Sequence, residues 1–185
     1  MLTNPYDVGR NTAFRLPKHQ AFYFAYGSNM SPLRLGFRLP ATQVVGDASL
    51  PGHRLAFHKA GTDGSGKCDI PVCGQSVVFG VVYAINKDDF SILDRIEGVG
   101  GGYERETIEI HLADQRLTAQ TYRATHIDPD LRPFSWYRHH VLAGALSAGL
   151  SDSYVEEIRA VKVVRDHDVQ RERRELAIYQ GSGTQ

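Results

Sequence analysis

Apolar and polar positions alternate in short, dense blocks along this chain, and the pattern predicts strands first and helices around and after them. Ala21 to Ala25 is aromatic-rich and runs into a Gly-containing turn, which reads as a strand. Ser31-Pro32 reads as a helix entry, with Ser as N-cap and Pro at the first helical position, and Gly36 and Pro40 keep that helix short. Ala41 to Ala60 carries two apolar patches broken by Pro51-Gly52, which predicts two strands. Gly61 to Gly66 reads as a flexible loop, and Gln75 to Ile85, dense in Val, Phe and Tyr, as the clearest strand. A helix follows: Asn86 is placed to cap it, Asp88 and Asp89 suit its first turn, Phe90, Leu93 and Ile96 fall at helical spacing, and Gly98 suits its stop. Glu104 to Leu112 and Arg116 to Thr125 read as a strand pair around Ala113-Asp114-Gln115. From Pro133 the pattern turns helical, with one helix over Phe134 to Ser147 and another capped by Ser151 or Asp152.

Without regular strand–helix alternation, the order points to an α+β fold, a compact barrel-like sheet with peripheral helices. A chain of 185 residues suits one domain, placed at 21–180 between a polar N-terminal arm (1–20) and a polar tail (181–185). Lys+Arg and Asp+Glu cancel at 21 each, which argues against nucleic acid as the main partner. The run Arg171-Glu172-Arg173-Arg174-Glu175 alternates in sign and reads as a solvated helix face. The first dense apolar run is too short for a signal core or a membrane span, so no membrane partner and a cytoplasmic location are expected. Cys68 and Cys73 read as ordinary thiols in a loop or hairpin, neither a disulfide framework nor a zinc site with His53 or His58. His139 and His140 read as surface and core neighbours on their helix.

Two features carry candidate chemistry. The turn Tyr26-Gly27-Ser28-Asn29, extended to Met30 and Ser31, joins a strand to a helix, where backbone N–H groups are suited to hold an anion or an oxyanion. Glu97 occupies the last turn of its predicted helix, an end that favours cations and disfavours a carboxylate. Violations of a local rule mark candidate functional sites, and a carboxyl so placed is suited to accept and return a proton. Gly100-Gly101-Gly102 follows it. Ser28 lacks the Gly-x-Ser-x-Gly elbow of a hydrolase nucleophile.

The segments Tyr23-Phe24-Ala25-Tyr26-Gly27-Ser28-Asn29-Met30, Gly80-Val81-Val82-Tyr83, Leu93-Asp94-Arg95-Ile96-Glu97-Gly98-Val99 and Tyr103 resemble, in this order, the gamma-glutamylcyclotransferase family, in the branch that includes AIG2-like proteins rather than the ChaC-type branch. The resemblance covers about Ala21 to Gly149 and leaves both ends without a counterpart. It implies a small mixed β-barrel with surrounding helices and release of 5-oxoproline from a γ-glutamyl compound. It further implies Glu97 as the catalytic acid/base and a substrate pocket formed by Tyr26, Gly27, Ser28, Asn29, Met30 and Ser31 with Tyr103, Tyr122 and Tyr137. The expected partner is a small-molecule γ-glutamyl substrate, with no metal or cofactor, and with homodimer formation left open. The competing reading is a non-catalytic small-molecule-binding or regulatory protein that keeps the fold.

Overall fold

The computed structural model describes residues 14–180. In chain order the elements are β1 (Gln20–Ala25), α1 (Pro32–Arg38), β2 (Gln43–His53), β3 (Ala56–Ala60), β4 (Gly66–Asp69), β5 (Val72–Asn86), α2 (Phe90–Glu97), β6 (Tyr103–Leu112), β7 (Gln115–Ala124), α3 (Ser135–Ser147), α4 (Asp152–Ala160) and α5 (Val169–Leu176). The sheet closes into a barrel in the order β1-β5-β2-β6-β7, and β3 pairs with β4 in a separate two-stranded sheet. Neighbours in the barrel run antiparallel except at the closure, where β1 meets β7 in parallel at Tyr23 and Gln120. This is the α+β barrel with peripheral helices that the residue pattern predicts.

Burial explains why the strands read as apolar blocks. Tyr23, Phe24 and Ala25 are all buried, so both faces of β1 are covered, one by the barrel interior and the other by packed elements. Helix α3 buries Trp136, Tyr137, His140, Val141, Gly144 and Ala145, a stripe recurring at i, i+1, i+4 and i+5. Gly144 is where that stripe meets the turn after β1. A Cβ there would stand 2.5 Å from both the Met30 Cβ and the Ser31 amide nitrogen, so only a glycine lets α3 lie directly against the turn.

Several local expectations need correction. β2 does not end at Pro51-Gly52; it runs on to His53, and a register shift between Pro51 and His53 absorbs the irregularity against β5. Gly61 to Gly66 closes the β3–β4 hairpin, with the Asp63 carboxylate accepting from the Ser65 amide (3.0 Å), the Ser65 hydroxyl (2.9 Å) and the Lys67 ammonium (2.6 Å). β4 is a strand the pattern did not predict, and it carries Cys68. Asn86 precedes a short 3-10 turn and makes no capping bond; its amide donates to Asp89 at 3.2 Å. The caps at Ser31 and Ser151 form as expected, each accepting from the backbone amide three residues on, at 3.4 Å. His140 is buried and His139 exposed, as the helix pattern predicts.

The expected arm at 1–20 falls mostly outside the described residues, and the tail at 181–185 wholly so. Within the described part, Phe14 and Leu16 pack against the core, and the Phe14 amide donates to the Gln115 side chain at 3.0 Å. Among the described residues, no helix is long and apolar enough to cross a membrane.

Candidate active site

Three segments converge at one rim of the barrel. β1 delivers Tyr23 and the turn that follows it; α2 delivers Glu97 at its last residue, with Gly98 as C-cap; the β3–β4 hairpin lays Lys59, Lys67 and Cys68 against both. The inner pocket is lined by Tyr23, Tyr26, Gly27, Ser28, Asn29 and Cys68, and closed by Glu97, Tyr103, Tyr122 and Tyr137. It is a small pocket that opens into a larger outer cleft, which shares Ser28, Glu97, Tyr103 and Tyr137 with it.

Of the site residues named from sequence, Glu97, Tyr26, Gly27, Ser28, Asn29, Tyr103, Tyr122 and Tyr137 come together in this pocket. Met30 and Ser31 do not line it. Met30 is fully buried behind the turn, its carbonyl accepting from Tyr83 (2.9 Å), and Ser31 is spent on capping α1 and on a bond from the Tyr179 hydroxyl (3.1 Å). The Met30 and Ser31 amides are also committed inside the turn, to the carbonyls of Gly27 and Ser28. The expected backbone cradle therefore contracts to Gly27, Ser28 and Asn29.

Gly27 is needed for close approach. A Cβ there would meet the Cys68 Cβ at 2.9 Å and the Tyr137 hydroxyl at 3.6 Å, in the wall of the pocket. Cys68 is tied in turn: its amide donates to the Tyr137 hydroxyl (3.0 Å) and its carbonyl accepts from the Tyr103 hydroxyl (2.7 Å). The Tyr26 hydroxyl donates to the Tyr122 carbonyl, and the Tyr122 hydroxyl donates to Asp94 at 2.8 Å.

Glu97 is held by two groups. Its Oε1 accepts from Asn29 Nδ2 at 3.1 Å and from Arg38 at 3.2 Å. Asn29 Oδ1 accepts from the same arginine at 2.7 Å, and Asn29 Nδ2 also donates to the Tyr23 hydroxyl at 2.9 Å. Arginine only donates, so its contact fixes which end of the Asn29 amide faces which partner. The unfavourable helix-end location of Glu97 is thus offset by a cation from α1. Burial raises Tyr23, Tyr26, Tyr103, Tyr122, Tyr137 and Cys68 above their ordinary pKa ranges, so all six stay protonated.

The sequence pattern missed four residues of this site. Tyr23 reads as part of the first strand, with no local mark of a site role. Arg38 lies four residues after Arg34, a helical spacing that puts both on one face of α1 toward the cleft. Cys68 and Lys59 belong to a hairpin whose position over the barrel no local signal reveals. Burial lowers the Lys59 ammonium below its ordinary value, and Glu97 and Asp63 oppose that shift. Among the described residues, no group of three or more His, Cys, Asp or Glu side chains gathers to hold a metal ion. His58 instead contacts Asp69 at 3.0 Å, and His53 the Pro51 carbonyl at 2.9 Å.

Residues 77–158 match the model of the AIG2-like family. The chain is 31% identical over 155 residues to human gamma-glutamylcyclotransferase, covering 79% of this chain and 81% of the relative, and 29% identical over 148 residues to the bovine protein, covering 76% and 78%. A human structure solved as an uncharacterized protein superposes with a TM-score of 0.75 at 25% identity, over 83% of this chain and 98% of that one. A gamma-glutamyl cyclotransferase structure gives a TM-score of 0.76 at 24% identity, over 88% and 99%, which shows a shared fold. With this identity over most of both chains, together with the matching barrel, the chain belongs to the gamma-glutamylcyclotransferase family.

Proposed function

We propose that this protein releases 5-oxoproline from a γ-glutamyl compound by intramolecular aminolysis. One observation supports this reading most: in the inner pocket the five tyrosines and Cys68 are held protonated by burial, which leaves Glu97 as the lining group suited to take a proton. The names of the curated relatives at about 30% identity agree with it.

In the proposed reaction the substrate's α-amine attacks its own γ-carbonyl carbon, a C–N bond forms, and the bond to the original amide nitrogen breaks. The α-ammonium sheds two protons on becoming the ring N–H, and the departing nitrogen takes up two as it leaves as an ammonium. Glu97 shuttles them as base and then acid. Nothing is oxidised or reduced. The pocket's contribution is to fold a flexible chain into attack geometry, an effect worth a large part of the barrier in well-oriented intramolecular reactions. The amides of Gly27, Ser28 and Asn29 are assigned to a carboxylate or to the developing oxyanion, and the tyrosine hydroxyls to orienting the glutamyl group.

The test is incubation with a panel of γ-glutamyl amino acids, glutathione and γ-glutamyl-ε-lysine, with 5-oxoproline measured. Release from at least one compound is expected. Tight binding of a compound with no release would move the assignment to a binding protein that retains the fold.

A further inference from the structure

Each tyrosine hydroxyl has one proton to give, and the fold decides where it goes. In the inner pocket three of these protons are already spent. Tyr26 donates to the Tyr122 carbonyl, Tyr103 to the Cys68 carbonyl at 2.7 Å, and Tyr122 to the Asp94 Oδ1 at 2.8 Å. Toward a ligand these three hydroxyls offer lone pairs only. Tyr23 and Tyr137 differ, because each accepts from the protein: from the Asn29 side-chain amide at 2.9 Å and from the Cys68 backbone amide at 3.0 Å. Two of the three spent protons go to backbone carbonyls. The third goes to a carboxylate that stands behind the pocket lining.

Asp94 lies on α2 one turn before Glu97, and Tyr122 and Arg105 face each other directly across β6 and β7. Both reach the same carboxylate. Tyr122 bonds Oδ1, and Arg105 meets Oδ2 at 3.3 Å while its guanidinium lies 5.0 Å from the Phe90 ring centre. The Asp94 and Arg105 side chains are 28% and 35% exposed, where an ion pair contributes little to stability. Fastening α2 to the sheet needs only Arg105, yet one carboxylate oxygen is given to a pocket tyrosine that is 3% exposed. An ionised carboxylate has no proton to return, so the Tyr122 proton points to Asp94 and away from the pocket.

This polarity matters where an amine is the nucleophile. Attack needs the amine lone pair aimed at the γ-carbonyl carbon, so the N–H groups must be held elsewhere. A hydroxyl that accepts holds an N–H; a hydroxyl that donates occupies the lone pair itself. We propose that Asp94 is a positioning residue: by taking the Tyr122 proton it makes that hydroxyl an acceptor for an N–H of the substrate's α-amine. This rests on the reading given under Proposed function, but the recognition can be tested apart from turnover.

The experiment compares γ-glutamyl-alanine with glutaryl-alanine, which lacks only the α-amine, for the parent chain, Asp94→Asn, Tyr122→Phe and the double variant. Binding is measured calorimetrically on the Glu97→Gln background, and release of 5-oxoproline from γ-glutamyl-alanine on the Glu97 background. In Asp94→Asn the guanidinium of Arg105 keeps the amide oxygen, since it only donates, so the amide NH2 faces Tyr122 and turns its proton toward the pocket. The parent is expected to bind the amine-bearing compound about 10- to 100-fold more tightly, the size of one hydrogen bond from a charged group. The ratio should fall toward one in each single variant, and the double variant should lose no more. Equal weakening of both compounds in Asp94→Asn, with the ratio kept, is the result of a purely structural clamp and overturns the proposal. An undiminished ratio in Tyr122→Phe overturns it as well, and that variant leaves the Asp94–Arg105 pair in place should Asp94→Asn fail to fold. Equal binding of the two compounds by the parent also overturns it. Release of 5-oxoproline alongside any of these three results leaves the proposed reaction standing. A ratio that collapses as expected, with no release by the parent, upholds the positioning and overturns the catalytic reading alone. Binding of neither compound overturns both.

Discussion

The Arg38 guanidinium and the Glu97 carboxylate meet at 3.2 Å, and the Asn29 amide is hydrogen-bonded to both. Each member constrains the other two, so the orientation of Glu97 depends on a residue of α1 and one of the turn. Arg38→Met should lower kcat about 10- to 100-fold through lost positioning, with a smaller change in KM, and Arg38→Lys should recover part of it. Steady-state kinetics on the two variants checks this; unchanged kcat in Arg38→Met would show that the pair does not position the acid.

Gly27 and Cys68 face each other without room for a methyl group, at 2.9 Å from a would-be Cβ. Gly27→Ala should therefore cost roughly 1–3 kcal/mol of stability through overpacking and weaken ligand binding as well. Cys68→Gly in the same chain removes the obstructing Cβ and should restore part of both. Thermal melts and ligand titration of the single and double variants give the coupling; strictly additive losses would contradict the contact.

Tyr137 closes the pocket by accepting from the buried Cys68 amide at 3.0 Å. Tyr137→Phe orphans that donor, at a cost of about 1–3 kcal/mol, and should lower Tm by roughly 2–10 °C for a chain of this size. A melt within 1 °C of the parent, on the order of experimental error, would mean that water replaces the hydroxyl at no cost.

The C-terminal segment is tied to the site's back wall by ionisable groups. His140 Nε2 lies 2.8 Å from Arg34 and 3.1 Å from Glu175, and its Nδ1 lies 2.8 Å from the Tyr179 hydroxyl. Burial, reinforced by Arg34, lowers His140 to about 4. Burial alone would raise Glu175, but hydrogen bonds from His140 and Arg34 hold it at about 2. The unfolded chain binds a proton at each group before the folded chain does, so stability falls as pH drops from about 6.5 toward 4 for His140 and from about 4.5 toward 2 for Glu175. Denaturant titration between pH 7 and 4.5 should show a loss of about 1–3 kcal/mol attributable to His140, and His140→Gln should flatten that slope. The same slope in the variant would place the acid sensitivity elsewhere.

These networks also mark where the residue pattern stops being informative. Ser31 and Ser151 act through neighbours three residues away, so their caps are legible in the chain. The Tyr26–Asn29 turn and Glu97 are legible because each breaks or satisfies a helix-end rule locally. Glycines at 61, 64 and 66 masked β4, since a tight hairpin and an open loop share that composition. Tyr23, Arg38 and Lys59 acquire their roles from partners on other elements, and periodicity records which face a side chain takes, not what it meets there. The alternating signs of Arg171 to Glu175 read as a solvated face. Instead, Glu175 reaches Arg34 and His140, and Arg171 grips the buried Asp166 with both arms at 2.6 Å, holding it below the usual carboxylate range together with a bond from Trp136. Arg34 and His140 lie 141 and 35 residues from Glu175 in the chain, and Trp136 lies 30 residues from Asp166.

In the proposed reaction one carboxyl moves the protons. Glu97→Gln keeps the side chain's size and its contacts as an acceptor from Arg38 while removing proton transfer. Single-turnover release of 5-oxoproline from the best γ-glutamyl substrate should fall by roughly 10²-fold or more in that variant, with binding changed only modestly. A rate within a few-fold of the parent would mean that a group other than Glu97 moves the protons.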